Sequence, residues 1–220
     1  MRTRSFRMIL AAALIVLFSN CSKKDTPPQG VLIAYYQLLN DAADSTGLNG
    51  PMTLQNTPFE NGGIYCNGIY SHSPDPNYCT AQTPAINSLK FQSFSISMDF
   101  LVTEKKRQPV WIIGTSCRWL GFYLEADGTV ALLYNNWDFL ATSKAYSLNE
   151  WHNAKISFDG TTANIFLDSS LAGSLKFGNG YVPLNYDVCG TSDTEIGVTN
   201  FSNGEVLEGY VRNLKVYSPK

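Results

Sequence analysis

Charge is scarce in this chain: Asp, Glu, Lys and Arg make up 15% of its 220 residues. Histidine is scarcer still, with only His72 and His152 present. Binding to nucleic acid draws its affinity from Lys and Arg at phosphates, and no basic run follows the first thirty residues, so nucleic acid is excluded as a partner. No G-x-S-x-G elbow is present to carry a nucleophilic serine, and no Gly-rich phosphate loop occurs. The cysteines show no CxxC spacing, which argues against a zinc knuckle. No segment carries capped apolar residues at a 3.6-residue period, so a helical class is excluded. The apolar run Met8–Phe18 has eleven residues, whereas a bilayer-spanning helix needs about 20. Neither an internal repeat nor a Pro/Gly-rich linker divides residues 31–220.

What is present begins with an export signal. Arg2, Arg4 and Arg7 form a basic n-region, MILAAALIVLF an apolar core, and small and polar residues lead to Cys21. Such a segment is removed from the mature protein and takes no part in the fold. The stretch LFSNC resembles a bacterial lipobox, although Asn20 stands where Gly or Ala is usual. The polar, Pro-containing SKKDTPPQG that follows suits a tether without periodic structure. The expected organisation is a lipoprotein signal peptide at 1–20, a flexible tether at 21–30 and one domain at 31–220. Acyl chains on Cys21 would then be the membrane attachment, since each buried methylene contributes about 0.8 kcal/mol. The expected location is the cell envelope, lipid-anchored at the outer membrane or cell surface.

Without residues 1–20 the chain has thirteen basic and eighteen acidic residues, a net charge of −5. Cys66, Cys79, Cys117 and Cys189 remain, an even number in an exported chain, which suggests two disulfides with three possible pairings. Cys66 and Cys79 flank a turn-rich loop, NGIYSHSPDPNY, and are the preferred pair. Closing that 14-residue ring would stabilise by roughly 3 kcal/mol on a chain-entropy account. Cys117–Cys189 is then the remaining pair.

Strand patterns fill the domain. Phe94–Val102 puts Phe94, Ile96, Met98 and Phe100 on one face and Ser95, Ser97 and Asp99 on the other, a period of two. Val31–Leu39, Val110–Ile113, Leu120–Ala126, Thr129–Tyr134, Asn153–Phe158, Ala163–Leu167, Glu195–Val198 and Leu207–Tyr217 read as further strands. Asp127-Gly128, Asp159-Gly160 and Asn203-Gly204 lie between consecutive runs, the residue pairs that tight hairpins favour. Many short antiparallel strands predict an all-β sandwich of two sheets.

Four segments in order then resemble the bacterial laminin-G-like family of the concanavalin A-like superfamily: YYQLLNDAADSTGLNG, SFSISMDF, LNEWHNAKISFDGTTANIFLD and IGVTNFSNGEVLEGYVRNLKVYSPK. The resemblance spans nearly all of the mature domain and implies a two-sheet antiparallel jelly roll. It also implies that Trp151 packs in the core and that His152 starts a strand. Ser169-Ser170 departs from the family, which usually has Asn/Asp-Gly at that turn.

Glucanase relatives in the superfamily place catalytic acids on one strand face as Glu-x-Asp-x-(x)-Glu. Here only Glu125-Ala126-Asp127 approaches that pattern, the third acid is missing, and Asp127 belongs to a turn. LKFGNGY (Leu175–Tyr181) is similar to the lyase Tyr strand, but the matching Gln-x-His strand is absent. No enzymatic activity and no cofactor are expected. Some laminin-G-like domains hold calcium near the position of Asp44. One carboxylate falls short of the six to eight oxygens calcium prefers, and Asp44 reads equally well as an Asx-turn, so no metal is assigned. Surface recognition is left. Trp119 and Trp137, with Arg118, Asn135, Asn136 and Asp138, combine indole faces with polar partners, the two halves of a sugar site. Trp111, inside an apolar run, is expected in the core. The expected partner is a glycan. A protein of the envelope is the alternative, which would make the chain an adhesion or structural subunit, and a glycosidase or lyase comes third.

If Cys21 carries the anchor, the mature N-terminus begins there with a lipid mass, and Cys21→Ser releases the protein from membranes. Mass spectrometry of the N-terminal peptide, with fractionation of the variant, checks both.

Overall fold

The computed structural model describes residues 30–69, 77, 79–84, 93–115, 118–134, 138–177, 193–196 and 205–218, with the side chains of 114, 115, 118, 119, 138, 139 and 193–195 outside that description. No helix occurs among these residues. The strands are β1 (Val31–Tyr36), β2 (Thr53–Gln55), β3 (Phe59–Glu60), β4 (Gly63–Asn67), β5 (Thr80–Gln82), β6 (Phe94–Val102), β7 (Gln108–Thr115), β8 (Arg118–Leu124), β9 (Thr129–Tyr134), β10 (Asp138–Ala145), β11 (His152–Phe158), β12 (Thr162–Leu167), β13 (Ser170–Lys176), β14 (Asp193–Ile196) and β15 (Glu208–Ser218). They form two antiparallel sheets. One runs β13-β12-β11-β6-β15-β4-β3, with β1 also on β15; the other runs β10-β9-β8-β7-β14-β5-β2. The fold is the two-sheet antiparallel sandwich that the strand pattern predicts, with the jelly-roll form that the family resemblance implies.

Period-two patterning builds the core between the sheets. Ile96, Met98, Phe100 and Val102 of β6, Ala154, Ile156 and Phe158 of β11, and Val211, Leu214 and Val216 of β15 face inward and are buried. The other sheet answers with Val110, Trp111, Ile113, Leu120, Phe122, Leu124, Val130 and Leu132. Phe100 joins the layers, with its ring centroid 6.2 Å from Phe122 and 6.0 Å from Tyr146. Burying one such ring contributes about 1.5–3 kcal/mol. Trp111 is fully buried, as expected.

Turn chemistry sets the strand ends. Gly128 (φ 89°) donates its N–H to the Glu125 carbonyl, and the Asp127 carboxylate accepts from the Thr129 N–H and hydroxyl. β8 therefore stops at Leu124, two residues before the run read from the sequence, because Glu125 already begins the turn. Asp159 accepts from the N–H groups of Thr161 and Thr162 beside Gly160 (φ 102°). The β12–β13 hairpin turns on Asp168 and Ser169, both left-handed (φ 50° and 65°). This is the primed geometry for which glycine is usually chosen, and it falls one residue before Ser169-Ser170. β1 ends at Tyr36, short of the expected Leu39, since Leu38 is left-handed (φ 59°) and turns inward to be fully buried. The final residues of the expected Glu195–Val198 run, and Asn203-Gly204, lie outside the described residues.

Trp151 departs from expectation. It precedes β11 and lies half-buried on the outer face of the eight-stranded sheet, where the Arg212 guanidinium sits 3.9 Å from its ring centroid. Its edge comes close to the backbone at Gly63, where a Cβ would meet it at 3.1 Å. Trp151 is therefore a cover for the sheet rather than a core residue.

Cys66 and Cys79 are both buried and lie against each other as thiols. The hydrogen bond from Cys66, with help from the Asn67 N–H 3.2 Å from Cys79 Sγ, brings the Cys79 thiol down to about 7, while donating that bond and burial push Cys66 well up. Cys117 and Cys189 lie outside the described residues. Two neighbouring thiols, one with its pKa lowered by the other, are candidates for oxidation to a disulfide. Non-reducing peptide mapping of protein recovered from an oxidising compartment is expected to give a Cys66–Cys79 link; a Cys66–Cys189 link would contradict it.

Candidate functional site

Three of the six residues singled out for recognition, Arg118, Trp119 and Asp138, have their backbones at one end of the seven-stranded sheet. Thr115 pairs with Arg118 and Gly114 with Trp119 where β7 passes into β8. On the far side of β8, Leu120 pairs with Tyr134, the last residue of β9. Tyr134 in turn pairs with Asp138, the first residue of β10. Arg118, Trp119 and Asp138 thus share that end. Asp193 of β14 pairs with Gly114 and belongs to the same end. Asn135, Asn136 and Trp137, and the side chains of Arg118, Trp119 and Asp138, lie outside the described residues. Four antiparallel strands in register place the backbone of Arg118, Trp119 and Asp138 at one end of the sheet.

A polar network on the outer face of the eight-stranded sheet escaped sequence reasoning. Asp99 accepts hydrogen bonds from Asn153 Nδ2 and Asn213 Nδ2, each at 2.8 Å, and lies 3.5 Å from Arg212 Nε. The Tyr35 hydroxyl donates to Asn213 Oδ1 at 3.0 Å. A β-bulge between Arg212 and Lys215, with Asn213 at φ 56°, lets Arg212, Asn213 and Lys215 all point outward. The alternation of Asp99 with buried neighbours was visible in the sequence; the bulge that gathers its partners was not.

His152 starts β11, as the family resemblance implied. Its Nδ1 is 2.7 Å from Asp168 Oδ2 and its Nε2 2.9 Å from the Ser147 hydroxyl. Those distances outline a Ser–His–Asp relay, yet the bonding is that of a brace. Ser147 gives its hydroxyl proton to Glu150, and its backbone N–H points at Nε2 from 3.1 Å. The buried imidazole ties the 147–151 loop to the β12–β13 turn, where Asp168 also accepts from the Asn153 N–H.

The Glu125–Asp127 pair divides in the same way. Asp127 caps its turn, while burial pushes the Glu125 carboxyl up against the opposing pull of Arg107. Arg107 lies 3.9 Å from Glu125 and 2.9 Å from Glu205, whose carboxyl burial also raises.

Asp44 is the most fully bonded carboxylate described. One oxygen accepts from the N–H groups of Tyr35 and Thr46, and the other from the Thr46 hydroxyl, the Asn49 N–H and Asn49 Nδ2, all at 2.6–3.0 Å. Burial would push this carboxyl up, but those donors hold it at about 2. It is an Asx-turn that also pins β1. Five donors aimed at one carboxylate present N–H and O–H groups where a cation would need oxygen lone pairs. Among the described residues no group of three His, Cys, Asp or Glu side chains gathers at one point.

Residues 75–219 match the laminin-G-like family model of the concanavalin A-like lectin/glucanases superfamily, and the chain belongs to that superfamily. No curated protein matches it. Among solved structures, domain 4 of the extracellular GH43 arabinanase AbnA from Geobacillus stearothermophilus, in complex with arabinotriose, is 17% identical with a TM-score of 0.65, over 87% of this chain and 94% of that domain. Trypanosoma rangeli sialidase in complex with sialic acid is 14% identical with a TM-score of 0.66, over 88% of this chain but 31% of the sialidase. At these identities the likeness is one of fold.

The Asp44 carboxyl sits below its ordinary 3.8 in the folded chain, so its stabilisation is complete above that value and is lost as pH falls towards 2. Its size is about 2 kcal/mol. Asp44→Asn is expected to lose about that much at pH 7 in urea melts, and to flatten the stability profile between pH 4 and 2. Melting with and without EDTA is expected to coincide.

Proposed function

We propose that the chain is a non-catalytic glycan-binding module of an exported lipoprotein, held in the cell envelope through Cys21. The observation that supports the reading is that the backbones of Arg118, Trp119 and Asp138 share one end of the seven-stranded sheet; Asn135, Asn136 and Trp137 are the remaining members of the proposed site. Indoles present a flat apolar face on which a pyranose ring stacks, and neighbouring amides and charges bond its hydroxyls. Connections held by a rigid sheet are where binding residues concentrate. The arabinanase domain of the same fold was solved with a sugar bound, which supports a carbohydrate rather than a protein as the partner. The reading is non-catalytic because the Ser147 hydroxyl is committed to Glu150 and Asp127 to its turn. The tether at 21–30 would hold the sandwich off the membrane, with the lipid as its sole contact there.

Screening on a glycan array, paired with a reducing-sugar assay on every ligand bound, tests this directly. Retention without release of reducing ends is expected. Trp137→Ala is expected to lower affinity for the bound glycan at least tenfold while leaving the melting temperature nearly unchanged. Truncating a core Trp would instead cost roughly 3–5 kcal/mol. Undiminished glycan binding by Trp137→Ala would move the site elsewhere.

A further inference from the structure

The outer face of the eight-stranded sheet has a feature that neither the sandwich nor the loop-end site uses. Register places Ser97 of β6 directly between Lys155 of β11 and Lys215 of β15. With strands about 4.8 Å apart, the two lysine stems rise about 10 Å from each other. The floor between them is made of small residues: Ser95 and Ser97 on β6 and Ser157 on β11, which pairs with Asn164 of β12. Ser95 and Ser97 are covered to 6% and 8% exposure, yet their hydroxyls make no side-chain hydrogen bond among the described residues. Larger side chains form the walls. Tyr35 and Tyr217 stand on one side and Phe166 on the other, so the face is a trough along β6.

The two lysines differ from the other structurally engaged cations. Lys106 pairs with Glu104 and Glu208, Arg107 with Glu205, and Arg212 with Asp99. Lys155 and Lys215 have no carboxylate within ion-pair distance among the described residues. Each lies instead by an aromatic ring, Lys215 Nζ 4.9 Å from the Tyr35 centroid and Lys155 Nζ 5.9 Å from that of Phe166. Burial lowers the Lys155 pKa with no anion to oppose it. The one acid in the adjoining row, Asp99, is already spoken for by Arg212, Asn153 and Asn213. A chain that is acidic overall therefore carries, among the described residues, a local surplus of positive charge on either side of Ser97.

We propose that this trough is a second binding site, for an acidic polysaccharide whose carboxylate or sulfate groups seat over Ser97 between Lys155 and Lys215. Charge complementarity selects an anion, since a half-buried ammonium with an aromatic ring but no anionic partner gains from one. Asn164, whose Oδ1 accepts from Ser174 and whose Nδ2 is left for a ligand, and the part-exposed Tyr217 lie on the same face and supply a donor and a ring for a sugar, which points to a glycan rather than a lone ion. The site lies on the opposite sheet from Trp119 and Asp138 and stands without them.

The test uses the soluble exported chain with Cys21→Ser, and affinity electrophoresis in gels containing polygalacturonate or dextran sulfate, with arabinan and dextran as neutral controls. Retardation by at least one polyanion, weakening as salt rises, is expected. The Lys155→Gln/Lys215→Gln double variant is expected to lose at least tenfold in affinity at an unchanged melting temperature. Lys105→Gln/Lys144→Gln, which removes two exposed lysines away from this face, is expected to bind as the parent does. Trp137→Ala is expected to keep polyanion binding, so the loop-end site and the trough can fail separately. Equal binding by the parent and the Lys155/Lys215 variant would overturn the proposal, as would an equal loss in the Lys105/Lys144 variant. Binding to phosphatidylglycerol vesicles with neither polysaccharide retarding the protein would overturn it in favour of a lipid surface.

Discussion

Strand β15 is the member on which the rest of the sandwich depends. Its eleven residues pair with β6 along one edge and, on the other, with β4 through Glu208–Val211 and with β1 through Leu214–Ser218. One strand from the end of the chain thus holds two from its beginning. A ladder of this sequence separation costs loop-closure entropy before it gains anything. Its return is the inward row of Val211, Leu214 and Val216, all fully buried. The row skips two residues between Val211 and Leu214 because Asn213 takes a left-handed conformation. Without that bulge, either Leu214 and Val216 or Val211 would point outward, since a one-residue slip exchanges the faces of a strand.

The same bulge shapes the outer surface. Arg212, Asn213 and Lys215 emerge together, Arg212 covers Trp151, and Asn213 reaches both Asp99 and Tyr35. Tyr35 belongs to β1, which Asp44 anchors through the Tyr35 N–H. Packing inside and polar order outside are therefore consequences of one backbone irregularity. The two candidate recognition surfaces are well separated by this arrangement. One sits where β7, β8, β9, β10 and β14 meet at a sheet end, a place built from local hairpins; the other lies across β11, β6 and β15, which long-range pairing brings together.

Much of the fold was legible in the residues. β6 and β9 were readable to the residue, because Phe94–Val102 alternates and Thr129–Tyr134 is apolar between clear turn signals. β11 and β12 were readable to within one residue at their starts. β10 and β13 were not, since both are edge strands whose residues are largely exposed, and an edge has no inward row strong enough to impose alternation. β2, β3 and β5 are two or three residues long, too short for any period to show. Of the recognition residues, the grouping of Trp137 with Asn135, Asn136 and Asp138 is local and could be read directly. That Arg118 and Trp119 share the end of the sheet where Asp138 begins β10 follows from the β8–β9 hairpin at Gly128.

The sequence by itself determined the class: alternation, Asp-Gly turns and the absence of helical period leave little but an antiparallel sandwich, because burial of one strand face is a local constraint written in neighbouring residues. It determined the Asx-turn at Asp44 as one of two readings, and the five donors bonded to the carboxylate favour that one. Only the tertiary structure decided that Trp151 covers a sheet instead of filling the core, that His152 braces a loop, and that Lys155 and Lys215 flank Ser97. Those relations join residues up to 118 positions apart across hydrogen-bonded ladders, and no pattern within a single strand specifies which other strand will lie beside it.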